Sequence, residues 1–136
     1  MVIKALFKRR YLFIFASLYT LLITWLSLGK LIIPGGANIQ GSDKVGHLLV
    51  YLFFTIFWFL FFFYSEKKRK SFVQSILLAS ILGVVYGMLM EIFQGVFTSY
   101  RTPDWNDIVA NAIGVIIAVV ILKLLKNKIV VLKHRE

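Results

Sequence analysis

Four apolar runs dominate this chain, each 18 to 26 residues long. A hydrocarbon core of about 30 Å is crossed by about 20 helical residues at about 1.5 Å each. Lipid offers no partner to backbone N–H and C=O groups, so only helices or closed barrels can span it. Continuous apolar runs of this length point to helices. The chain has 136 residues and is 60% hydrophobic, against about half in a soluble domain. It reads as all-α: a polytopic membrane protein with a bundle of four transmembrane helices. The spans expected are about 11–28, 45–64, 72–97 and 107–125, within one domain covering 1–136.

Charge sets the expected orientation. The net charge is +10, from 16 Lys and Arg against 6 Asp and Glu. Lys4, Lys8, Arg9 and Arg10 precede the first span. Lys67, Lys68, Arg69 and Lys70 lie between spans two and three. Lys123, Lys126, Lys128, Lys133 and Arg135 follow the fourth. Thirteen basic residues thus share one side, and only Lys30, Lys44 and Arg101 face the other. The positive-inside rule places both termini in the cytoplasm. Basic clusters confined to span flanks argue against a nucleic-acid partner. The first run is long for a signal-peptide h-region, so it is read as a retained anchor. There is no Cys, hence no disulfide, thiolate metal site or Cys nucleophile.

The polar residues inside the apolar runs carry the functional reading, because charge in a membrane segment is costly. Glu91 sits in the third span, and Gln94 follows one turn later. Residues Ala79, Gly83, Gly87, Glu91 and Gly95 recur at every fourth position, a small-residue stripe that lets helices approach closely in lipid. The fourth span carries Asp107, Asn111, Gly114 and Ala118 on a similar stripe. In the second span Asp43, His47 and Tyr51 share a face at i, i+4 and i+8. Ser42 or Asp43 suits its N-cap. The remainder of that span, LFFTIFWFLFFF, is read as lipid-facing. Asp104 suits the N-cap of the fourth helix, with Asp107 at its third position. At about 5.4 Å per turn, His47, Glu91 and Asn111 all fall within one or two turns of the same membrane face.

The ordered set Asp43-Lys44-x-x-His47-x-x-x-Tyr51, then Glu91-x-x-Gln94, then Arg101-x5-Asp107-x3-Asn111-x-x-Gly114, resembles the VanZ-like family. The similarity covers about Leu12 to Leu125. The family is named for a protein linked to resistance to the glycopeptide teicoplanin. The resemblance implies a multi-pass protein of the bacterial plasma membrane, working in the cell envelope.

Two readings of the site stay open. In the first, the chain modifies a lipid head group or lipid-linked wall precursor. His47, Glu91 and Asp107 would be catalytic, with His47 as base or nucleophile. Asp43, Lys44, Tyr51, Gln94, Arg101 and Asn111 would bind the substrate, Arg101 through its phosphate. In the second, the chain is a non-enzymatic binder of lipid, antibiotic or an assembly partner, and the polar residues are interhelical glue. A transporter is disfavoured, since no polar stripe continues down helices three and four. No cofactor is expected. No metal is expected either, because the site holds a single His and no Cys. A homo-oligomer stays open.

Overall fold

The computed structural model describes residues 9–29, 42–64, 70–99 and 103–134. Among these there are five helices and no strand: α1 (Arg9–Leu28), α2 (Ser42–Tyr64), α3 (Phe72–Phe97), α4 (Trp105–Leu124) and α5 (Lys126–His134). The first four are long and apolar enough to cross a membrane. They run alternately up and down. One end of the bundle gathers the start of α2, the end of α3 and the start of α4; this is called the site end below. The opposite, basic end carries Arg9, Arg10, Lys70, Lys123 and α5.

Local sequence explains the helix starts. Ser71 and Gln74 form a reciprocal capping box at α3: Ser71 Oγ accepts from the Gln74 N–H, and Gln74 Oε1 accepts from the Ser71 N–H. Two donors at the helix start thereby find partners. Asp104 is the N-cap of α4, its Oδ1 accepting from the Asn106 N–H at 2.8 Å, and Asp107 follows at the third position. Helix α2 already includes Ser42, so the two residues expected to cap it lie within it.

Helix α2 is the centre of the bundle, and this corrects the lipid-facing reading of LFFTIFWFLFFF. It packs most extensively on α4, then on α3 and α1. Phe54, Thr55, Phe59 and Phe63 are all buried. The core cluster at the basic end joins Phe59, Phe63 and Tyr64 of α2 with Phe72, Ile76 and Ala79 of α3 and Leu122 of α4. Phe61 packs its ring against Phe13 of α1, with centroids 5.3 Å apart.

Small residues set the distances between helices. A Cβ at Gly114 would collide with the Leu48 carbonyl of α2, so α4 meets α2 backbone to backbone there. A Cβ at Gly83 would lie 3.1 Å from Thr55 Oγ1 and from Val115. At Gly87 it would lie 3.2 Å from Tyr51 and from Asn111. These glycines are the stripes read from the sequence, here seated against α2 and α4.

Helix α1 lies at the periphery, held by polar contacts. Trp58 Nε1 donates to Thr20 Oγ1 at 3.1 Å, and Tyr19 OH donates to the Val50 carbonyl at 2.9 Å. The hydroxyls of Thr24 and Tyr86 pair directly. Helix α5 was not expected from sequence. Tyr64 OH donates to the Ile129 carbonyl, and Ile129 and Val130 pack on the core cluster.

Candidate functional site

Three helices bring His47, Glu91 and Asp107 together at the site end. His47 stands on α2, Glu91 on α3 and Asp107 on the first turn of α4. One ligand-type atom from each lies within 4.8 Å of the other two. Close approach is what makes this possible. Gly87, one turn below Glu91, leaves room for Tyr51 and Asn111, and Gly114 lets α4 rest on α2 beside His47.

The imidazole is bracketed on both sides. His47 Nδ1 lies 3.1 Å from Asn111 Oδ1 and 3.8 Å from Glu91 Oε1. Its Nε2 lies 3.6 Å from Asp107 Oδ2. The other oxygen of Asp107 takes Lys44, whose Nζ is 3.4 Å away and also reaches Asp104 Oδ2 at 3.1 Å. Glu91 is 1% exposed and Asp107 7%. Lys44 is exposed and covers the solvent side of the centre. Its ion pairs are screened and add little to stability. The Asp104 carboxyl is held below the ordinary carboxylate range, first by the Asn106 N–H and then by Lys44.

The residues expected at the site divide into three groups. His47, Glu91, Asp107 and Asn111 meet, and Lys44 closes over them. Gln94 is buried but turned to α1, where its Nε2 donates to the Ser27 carbonyl at 3.1 Å. Tyr51 lies beneath, buried against Gly87 and Phe54. Arg101 and the side chain of Asp43 lie outside the described residues. Asp104, expected as the α4 cap, also shares Lys44 with Asp107.

An apolar groove of about 610 Å³ opens beside this centre, between the site ends of α3 and α4. Met88, Ile92 and Val96 line one wall and Trp105 and Ile108 the other, and Glu91 and Asp104 bring the polar atoms. Trp105 is 80% exposed at the helix start, a position where membrane proteins place aromatic anchors. No spacing in the sequence announced the groove, because it depends on how far α3 and α4 splay.

Four apolar helices with a buried, three-helix polar centre near one end define a small multi-pass membrane protein. The chain matches the VanZ/LLP1 family over residues 6–126 and belongs to that family. No curated protein matches it, and no solved structure does.

Proposed function

We propose that this protein works in the bacterial plasma membrane on a membrane lipid or lipid-linked wall precursor, at the outer leaflet of the cell envelope. The observation that carries this reading is the adjacency of a polar centre and an apolar groove that share Glu91. An amphiphile needs both: the groove takes the chain, and the centre takes the head group. His47 accepts the proton of the attacking hydroxyl or water. Asn111 Oδ1 holds the ring at Nδ1, Nε2 beside Asp107 is the basic nitrogen, and Glu91 supplies the second acid–base group. Lys44 and Arg101 hold head-group phosphate. Altering a displayed wall precursor or its surrounding lipid is a route to glycopeptide resistance of the teicoplanin type.

A second reading keeps the protein as a non-enzymatic binder of lipid, antibiotic or an assembly partner. It is favoured by the contacts already present, since Asn111 engages His47 and Lys44 engages Asp107. Incubating the purified protein with isotopically labelled envelope lipids separates the two. A mass change that is lost in His47→Gln supports modification. Stoichiometric retention of unchanged lipid supports binding alone.

A further inference from the structure

We propose that the basic end carries a lipid site of its own, in which Arg9 and Arg10 hold the phosphate of an anionic phospholipid. The two arginines open α1. Phe13 follows them by four and three positions, so it lies on the helix face between them. Together with Phe61 of α2 they line a pocket of about 390 Å³. Ligand pockets run from about 300 to 1,000 Å³.

The pocket has an aromatic floor and a cationic rim. The rings of Phe13 and Phe61 stand 5.3 Å apart, and Trp58 lies beside both, at 6.3 and 5.7 Å. Such a floor takes the glycerol and the first part of an acyl chain. Both arginines are exposed at the helix end, the depth at which cationic side chains reach the head-group layer. Helix α1 buries only Ala16 and Ile23, so the pocket opens sideways to lipid.

Charge selects the occupant. Among the described residues neither Arg9 nor Arg10 has an ion pair. The described carboxylates, Glu91, Asp104 and Asp107, all stand at the site end. The lysines of the basic end behave differently. Lys70 lies over Phe62 at 4.6 Å and Lys133 over Phe63 at 4.0 Å, so they close the aromatic core. Arg9 lies over Phe61 at 5.9 Å, but a stacked guanidinium keeps its in-plane N–H donors free. Arg9 and Arg10 are the only arginines among the described residues. Arginine meets phosphate oxygens through two parallel hydrogen bonds, where lysine offers a point charge. A topology signal needs positive charge alone; it needs neither arginine, a pocket nor an aromatic floor. A zwitterionic lipid brings an ammonium that two guanidiniums repel. Free phosphate satisfies the rim and leaves the floor uncovered. The site lies at the opposite end of the bundle from His47, so it does not rest on the function proposed above.

The test uses the full chain in detergent, stripped of lipid and titrated with phosphatidylglycerol or phosphatidylcholine while native mass spectrometry counts the lipids retained. The first phosphatidylglycerol should bind at least about tenfold more tightly than phosphatidylcholine, as two cations near a head group imply. Arg9→Gln combined with Arg10→Gln should abolish that preference. Arg9→Lys combined with Arg10→Lys keeps the charge and the topology signal, and should still weaken the first lipid at least about threefold. Lys123→Gln combined with Lys128→Gln removes the same charge from the same end and should leave the first lipid unchanged. Inorganic phosphate at the lipid's own concentration should not displace it. Equal retention of the two lipids by wild type overturns the proposal. So does an equal loss in the Lys123/Lys128 variant, which would mean diffuse surface attraction. Full retention in the arginine-to-lysine variant would reduce the pair to a topology signal, and displacement by phosphate would make it a free-anion site; either result also overturns the proposal.

Discussion

Asp107 divides its two oxygens, Oδ2 toward His47 Nε2 and Oδ1 toward Lys44 Nζ. Glu91 approaches the other side of the same ring. The charge of these carboxylates, rather than their shape, is what a working site requires. Glu91→Gln and Asp107→Asn keep volume and hydrogen-bonding capacity but remove the charge. Both variants, and His47→Gln, should therefore accumulate at normal levels and lose the protein's envelope phenotype. Combining them should add little, because groups that act as a unit are non-additive. Were they only glue, Glu91→Gln would be nearly neutral, since interhelical hydrogen bonds in membranes average about 0.6 kcal/mol. Phenotype and protein level, measured together, separate these outcomes. Much at this scale was legible. The four-residue spacings placed Glu91 one turn above Gly87, and Asn111 one turn below Asp107, on inward faces. Gln94 was not legible in the same way. Three residues past Glu91 it is rotated by about 60° around the helix, enough to point it at Ser27 of α1 instead of His47.

Helix α2 shows where pattern reading loses its grip. A helix apolar on every side is compatible with lipid exposure or with full burial, and LFFTIFWFLFFF has almost no polar residue to choose between them. Neighbours decide it. Glycines at 83, 87 and 114 let α2 pack closely between α3 and α4, so Phe54 and Phe59 are buried while Phe53 remains exposed. Helix α5 escaped for another reason: its lysines also serve as a topology signal, and its contacts through Ile129 are tertiary. The helix-packing argument is tested at Gly114. Gly114→Leu must displace the backbone of α2 at Leu48. It should cost about 1–3 kcal/mol or more, read as lower folded yield and an earlier thermal transition in detergent. Val73→Leu, on an outward face of α3 that is 69% exposed, should behave as wild type. Phe61 is unsuited as such a control, because its ring packs on Phe13. Equal behaviour of the two variants would mean the contact face is wrong.

Taken whole, the molecule is polarised along its axis. Its polar centre lies toward the site end, and its aromatic core cluster, with Lys70 and Lys123, lies toward the other. The number of spans and their alternation followed from apolar run lengths, since four crossings return the chain to the side where it began. Orientation rests on a separate physical ground. Thirteen basic residues flank the spans on one side against three on the other, and Lys and Arg in short flanks are retained on the cytoplasmic side. The described structure gathers Arg9, Arg10, Lys70, Lys123 and α5 at a single end, with Lys44 opposite. We therefore expect both termini in the cytoplasm and the His47–Glu91–Asp107 centre facing outward. A reporter enzyme active only outside the cell should be silent when fused after Glu136. The same reporter inserted at Gly36, between the first two spans, should be active. Comparable activity from both fusions would overturn the orientation. It would also remove the outer leaflet as the place where the site meets its lipid, because the groove between α3 and α4 would then open on the cytoplasmic face.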